Sequence, residues 1–600
     1  MNPLKRLNHF FWKYRKQFIP GLLFAAVSAA FSVVVPVVVR EAVDSIPRFV
    51  ELYHVYDGSP FQTYLFYSFS VSLLVFGLII IGLSLSSGLF TFLMRQTIVV
   101  MSRHVEYDMR NELYDHMQRL PRRFYVDHAT GDLMTHATSD IEQVRRYIGP
   151  AMMYIARAVV LMVAALTAMI LISPKLTFFA LLPMPFLAVS VFFVARLVHT
   201  RSDALQQQYS RLTSRVQEAL AGIRVIKAYT REEAEARAFD AESNAYRDRN
   251  LDLARVDAAW RPVFLLLIGM STIIVVWVGG RLVIDGAITI GNIAEFIIYV
   301  TLMTWPVASV GFVLTMIQRA SASMKRLATI LDTEPAIADG EATDAGLTSL
   351  EGRIAFENVT FRYNAEGPDV LTDLSFDIPA GSTLAIVGRT GSGKSTLVEM
   401  VPRLLDPSEG VVRIDGRDVR DFPLETLRSH IGYVPQEVFL FSDTIANNIA
   451  FGTLEADQEQ IENAAREAEL LDNIASFPEG FETFVGERGI TLSGGQKQRS
   501  SIARALIREP QILILDDALS AVDTNTESLI LGHLRKHYGR RTIFIVSHRI
   551  SAVQDADLIL VLDTGRIVER GTHSELLEHN GLYADLHRKQ LLEQEIASLN

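Results

Sequence analysis

Two hydrophobic periodicities divide the chain. Up to residue 331 the apolar positions run together in long blocks, whereas beyond residue 353 they form short runs mixed with helical spacing. Six blocks, at residues 18–39, 65–94, 151–172, 176–198, 262–278 and 293–316, are long enough to cross roughly 30 Å of hydrocarbon as helices. The fifth is short and is expected to extend toward Leu282. The pattern predicts an α-helical membrane domain over residues 18–331 and an α/β domain over residues 353–587. Residues 332–352, rich in Ala, Gly, Asp and Glu, read as a linker, and residues 588–600 as a C-terminal tail. Ahead of the first block, residues 1–17 mix Lys5, Arg6, Lys13, Arg15 and Lys16 with Leu4, Leu7, Phe10, Phe11 and Trp12. A basic amphipathic stretch of this kind predicts an interfacial helix lying on the membrane surface.

The charges between the blocks set an orientation. Arg95, Arg103, Arg110, Arg119, Arg122, Arg123, Arg145 and Arg146 lie between the second and third spans, and the segment between the fourth and fifth is also Arg-rich. The opposite side carries Arg48, Lys175 and Arg281. The positive-inside rule therefore places both termini and both long connections in the cytoplasm. Those connections, residues 95–149 and 199–261, look like helical continuations of the spans. Each has a break where a short crosswise helix would fit, at residues 123–132 and 228–233. Within the spans, Arg157 and Glu295 are the ionisable candidates for a substrate path, because charge in hydrocarbon is costly unless used. Pro306 is a candidate kink in the sixth span.

Composition narrows the function classes. At 600 residues and 49% hydrophobic, the chain is long enough for several domains. A net charge of −11 gives no basic footprint, so a nucleic-acid partner is not expected. The absence of cysteine removes disulfides, Cys-ligated zinc and thiol nucleophiles from consideration. The N-terminal apolar run is too long for a signal-peptide core.

The chemistry is concentrated in the second half. The apolar run Thr383-Leu384-Ala385-Ile386-Val387 leads into Gly388-Arg389-Thr390-Gly391-Ser392-Gly393-Lys394-Ser395-Thr396 and then a helix-forming stretch. Strand, glycine-rich loop and helix with this spacing form a phosphate-binding loop: backbone N–H groups converge on phosphate oxygens at a helix N-terminus. Lys394 supplies a point charge for the terminal phosphates and Ser395 a hydroxyl for Mg²⁺, which implies ATP and Mg²⁺ as cofactors. A second apolar strand, Gln511-Ile512-Leu513-Ile514-Leu515, ends in Asp516, a carboxylate suited to holding Mg²⁺ beside those phosphates. Between them, Leu492-Ser493-Gly494-Gly495-Gln496 opens another helix and makes a second phosphate-binding end. One ATP needs only one.

This ordered set resembles the ATPase domain of an ABC transporter, and the whole chain resembles an ABC exporter half-transporter, six spans followed by one ATPase domain. The resemblance implies that two ATPase domains pack head to tail, with ATP between one chain's phosphate loop and the signature 492–496 of a second half-transporter. It assigns Tyr363 to adenine stacking, Gln436 to Mg²⁺ and the attacking water, and His548 to the γ-phosphate switch. It also assigns Ser520 and Asp523 to the D-loop, and Val485-Gly486-Glu487-Arg488-Gly489 to a loop that meets the coupling segments. One position departs from the family pattern: Asp517 stands where Glu normally polarises the attacking water. Its carboxylate is one methylene short, and small misplacements are costly to rate; the resemblance implies that an Asp here marks the impaired site of a heterodimer whose partner supplies Glu. The expected function is ATP-driven export of hydrophobic or amphipathic drugs, lipids or peptides across the cytoplasmic membrane by alternating access. The alternatives are a homodimeric lipid flippase in which Asp517 suffices and, from another class, an ATP-gated channel or regulatory ATPase.

Overall fold

The computed structural model describes residues 3–598 apart from Ala342, Ala365, His537 and Tyr538, and the side chains of Arg488 and residues 593–598 lie outside that description. The chain forms two compact units: Met1–Gln118 with His128–Thr333, and Arg119–Asp127 with Glu334–Asn600.

The first unit is all helical. Six helices are long and apolar enough to cross a membrane: α1 (Arg15–Val55), α2 (Pro60–Arg119), α3 (Thr130–Ile172), α4 (Pro174–Ala221), α5 (Glu232–Ile284) and α6 (Ile290–Leu331). They hold 41 to 60 residues, so at about 1.5 Å per residue the longer ones run well past a hydrocarbon core. The fifth apolar block is part of α5, which continues to Ile284. Short helices at Pro3–Leu7 and Asn8–Lys13 precede α1, with Trp12 exposed.

Packing inside this unit is apolar, centred on residues such as Ala165, Met169, Val275 and Phe296 from α3, α5 and α6. Two π-helical turns interrupt α3, at His136–Asp140 and Tyr147–Ala151. Pro150 lies in the second, where a missing N–H favours a widened turn. In the first turn, buried Asp140 accepts hydrogen bonds from Ser323 (2.8 Å) and Arg326 of α6.

The expectation at residues 228–233 needs correcting. The short helix lies just before the break, at Ile223–Ala228, and the chain turns at Tyr229 and Thr230 into α5. Gly222 opens that helix and Thr230, with φ 53°, closes it, so the turn falls where a helix was expected.

The second unit holds two sheets. An antiparallel sheet has the order β2-β1-β4-β5, from β1 (Ile354–Phe361), β2 (Leu371–Ile378), β4 (Glu409–Ile414) and β5 (Arg417–Asp418). The larger sheet has the order β10-β9-β3-β8-β7-β6, from β3 (Thr383–Gly388), β6 (Ile431–Val434), β7 (Ile512–Asp516), β8 (Thr542–Val546), β9 (Leu558–Asp563) and β10 (Arg566–Gly571). Its central strands are parallel, and β3, β7 and β8 are buried at every position. Continuous Val, Ile and Leu runs form such strands because both faces are covered. The antiparallel sheet shares one core with the inner face of β3 and β7, through Phe356, Ile386 and Ile514. The opposite face packs on the helical segment that contains Ile502 and Leu506.

The short helix Arg122–Asp127 belongs to this second unit, although it sits between α2 and α3 in sequence. At the other end, a helix runs from Leu582 to Ser598. It passes without interruption through the position where a tail was expected to begin.

Candidate functional site

Parallel topology brings the candidate residues together. β3 and β7 both pair with β8, so the C-terminal ends of the three strands lie side by side. The phosphate loop leaves the end of β3, Asp516 ends β7, and His548 follows β8. Open α/β sheets bind ligands at such strand ends. A cavity of about 360 Å³ there is lined by Tyr363, Thr390, Gly391, Gly393, Lys394, Ser395, Thr396, Gln436, Asp516, Asp517 and His548, together with Val370 and Val546. The two valines had no motif to mark them.

The loop is shaped by its glycines. Gly391 and Gly393 have φ of +83° and +95°, and a Cβ on Gly393 would lie 2.6 Å from Leu371 Cδ2. α7 (Lys394–Val398) starts directly after Gly393. Lys394 is buried at 7% exposure, and its ammonium donates to the carbonyls of Gly388 (3.0 Å) and Arg389 (2.9 Å). Burial lowers its pKa, with Asp517 and Asp516 acting in the opposite direction. Tyr363 reaches the loop through its hydroxyl, 2.9 Å from Thr396 Oγ1.

Two neighbouring carboxylates face the loop. Ser395 Oγ donates to Asp516 Oδ1 at 3.1 Å. Asp516 is 2% exposed, and burial raises its pKa, assisted by the charge of Asp517. Burial also raises that of Asp517 and lowers that of His548. Buried hard oxygen donors crowded at one end of a cavity suit Mg²⁺ held with a polyphosphate. Ser395, Gln436 and Asp516 are the residues that would hold it.

A raised carboxylate pKa means that the fold carries a penalty above that pKa, since the unfolded chain ionises more easily. Asp516→Asn is therefore expected to raise the melting temperature of the nucleotide-free protein at pH 7. The same variant should lose the added stabilisation that Mg-ATP gives the parent. Thermal unfolding with and without Mg-ATP measures both effects.

Asp517 is pinned by its backbone. Its φ is 50°, its N–H donates to Val546 O (2.9 Å), and its carbonyl accepts from Ser520 Oγ (2.9 Å). The side chain cannot be carried forward by a shift of a loose loop.

The signature segment lies elsewhere. Ser493 caps α8 (Gly494–Leu506) in a reciprocal capping box with Gln496, and Leu492 is buried. None of residues 492–496 lines the cavity of this chain. Gln498 in α8 holds the D-loop, donating to Ser520 Oγ (2.9 Å) and accepting from Ala521 N (2.8 Å). Asp523 caps α9 (Thr524–Arg535) by accepting from Thr526 N at 3.0 Å.

The helix Arg122–Asp127 also bears on this region. Arg122 pairs with Glu399, which is 5% exposed and directly follows the phosphate-loop helix, and Arg123 donates to Asn364 Oδ1 at 2.7 Å beside Tyr363. Arg122→Ala would leave Glu399 buried and unpaired, at a cost of about 1–3 kcal/mol once partial exposure of the pair is allowed for. Combining it with Glu399→Gln should restore most of that loss in thermal unfolding, because no orphan charge then remains.

The two span candidates are placed differently. Arg157 lines a cavity of about 380 Å³ with Arg95, Met153, Tyr154, Trp305 and Pro306. Glu295 is enclosed: it accepts from Tyr299 Oη (3.1 Å) and Asn292 Nδ2 (3.3 Å) and lies 3.5 Å from Arg40 of α1.

The chain matches the ABC transporter transmembrane region over residues 18–307 and the ABC transporter family over residues 371–520. It is 39% identical over 489 residues to the "Probable multidrug resistance ABC transporter ATP-binding/permease protein YheI" of Bacillus subtilis, covering 81% of this chain and 83% of that protein. It is 34% identical over 591 residues to an "ATP-dependent lipid A-core flippase" of Chromohalobacter salexigens, covering 98% of each. Among solved structures it resembles a bacterial Atm1-family ABC exporter with ATP bound, with a TM-score of 0.77, 28% identity and coverage of 96% of this chain and 98% of that one. With its transmembrane region and ATPase domain fused in one polypeptide, the chain belongs to the ABC exporters: a multi-pass membrane protein that hydrolyses ATP.

Proposed function

We propose that this chain is one half of a two-chain exporter that moves hydrophobic or amphipathic substrates outward across the cytoplasmic membrane by alternating access. The observation that carries this reading is the signature segment 492–496, capped, intact and away from the chain's own cavity. A phosphate-binding end with no phosphate site in its own chain is useful to a second copy or a related chain. Relatives named for multidrug resistance and for lipid A-core flipping support drugs or lipids as substrate classes, and hydrophobic peptides fit the same physical class.

ATP bound between two such chains would draw the ATPase domains together, and the segments near residues 124–132 and 223–233 would pass that motion to the spans. The Arg-rich connections support a cytoplasmic ATPase domain. Arg157 fits a path-lining role better than Glu295, because its cavity combines charge with aromatic walls while Glu295 is already fully engaged.

Asp517 supports a division of labour. This chain's own site would mainly hold ATP, and its signature would complete a faster site whose Glu comes from the partner. A homodimeric flippase in which Asp517 suffices is the second reading, favoured by the lipid A-core flippase relatives. Transport itself is tested in inside-out vesicles with a fluorescent amphipathic dye and a labelled lipid. Mg-ATP should drive accumulation of a probe against its gradient, and Lys394→Ala should prevent it. Equilibration that never exceeds the outside concentration would instead indicate an ATP-gated channel.

A further inference from the structure

The loop that carries His548 is gripped from two sides. On one side Arg549 reaches into the D-loop, donating to the carbonyls of Ser520 (2.9 Å) and Val522 (2.9 Å) and pairing with Glu527 of α9. Glu527 is 1% exposed and also accepts from Ser551 Oγ at 2.9 Å. On the other side stands α10 (Leu582–Ser598). Its Gln590 uses both ends of one amide: Nε2 donates to the carbonyl of His548, and Oε1 accepts from the N–H of Ile550 at 2.8 Å.

That pairing is specific to a carboxamide. The backbone of residues 548 and 550 offers one acceptor and one donor, and a planar amide matches both at once. A carboxylate could take the N–H but would face the His548 carbonyl with a lone pair, and an apolar side chain would satisfy neither. Without Gln590, the His548 carbonyl and the Ile550 N–H lose this partner, while the bonds of Ser547 (to Ile386 O at 3.3 Å and from Arg549 N at 2.9 Å) and the grip of Arg549 on its far side remain, so the backbone at 548 is freer to tilt. Imidazole placement is sensitive to such tilts, since small misplacements in an active site cost large factors in rate.

We propose that Gln590 is a positioning residue for His548, and that α10 thereby sets the competence of the ATP site from the C-terminal end of the chain. This rests on the reading of His548 as the group that meets the γ-phosphate. It also gives α10 a means of control: anything that draws the helix off residues 548–550 would release the histidine without touching the phosphate loop.

The test uses the full chain purified in lipid. ATP turnover is measured in the Asp517→Glu background, so that a slow native site does not hide the effect. Gln590→Ala and Gln590→Glu should each lower kcat about tenfold, with KM for ATP, affinity for a non-hydrolysable analogue and melting temperature unchanged. In a His548→Ala background, Gln590→Ala should have no further effect, because the residue it positions is gone. An unchanged kcat in Gln590→Ala would overturn the proposal, as would an equal loss with and without His548, or a loss that tracks melting temperature. If His548→Ala itself kept full turnover, the reading of His548 would fail first, and the two failures are thus distinguishable.

Discussion

In the Asp517→Glu background, replacing Lys394 by Ala is expected to lower Mg-dependent ATP turnover by about a hundredfold, the scale of losing one charged donor at a phosphoryl-transfer site. Lys394 is the buried cation at the start of α7, and it faces two carboxylates whose burial raises their pKa values. Its ammonium also ties the carbonyls of Gly388 and Arg389, so it shapes the loop as well as charging it. Lys394→Ala should therefore weaken ATP binding in addition to turnover, whereas Lys394→Arg should retain charge but fit the narrow loop poorly. Equilibrium binding of labelled ATP and a turnover assay on the same preparations separate the two effects. Turnover within a few-fold of Asp517→Glu alone would place catalysis elsewhere.

Replacing Asp517 by Glu is expected to change activity in the opposite direction. The backbone of Asp517 is fixed by Val546 and Ser520 and by its left-handed conformation, so the extra methylene is delivered into the cavity rather than absorbed by the loop. An added reach of one methylene should raise turnover of this chain's own site by about tenfold to a hundredfold. Asp517→Asn, which removes the carboxylate's charge without altering length, should on the impaired-site reading leave turnover nearly unchanged. A large loss in Asp517→Asn, with no gain in Asp517→Glu, would mean that the shorter carboxylate is the working base.

The sequence made the local chemistry readable because that chemistry is contiguous. Strand, glycines, Lys394 and Ser395 occupy one short stretch, and the apolar run ending in Asp516 announces its own strand. The six apolar blocks were equally plain, since hydrocarbon demands length and apolarity before anything else. Longer-range relations were not. The pairing of Gln590 with His548 spans 42 positions and uses an amide that looks like any other polar residue on a helix. Glu295 reads as a lone acid in a span until Arg40, from another helix, comes beside it. Arg122 lies in the first unit's stretch of sequence yet belongs to the second unit, where it meets Glu399. The short helix Ile223–Ala228 lies a few residues before its expected place because Thr230, not Gly222, carries the positive φ. Nothing in the residue type of Thr announces that conformation.

The most direct measurement is steady-state Mg-dependent ATP turnover by this chain purified alone in lipid, with Lys394→Ala as the blank and nucleotide binding as the folding control. ATP binding with turnover close to the blank, rising when a Glu-bearing half-transporter is co-expressed, is the predicted result. Brisk turnover by the chain alone, abolished in Lys394→Ala, would contradict the impaired-site account and make this exporter a homodimer served by Asp517.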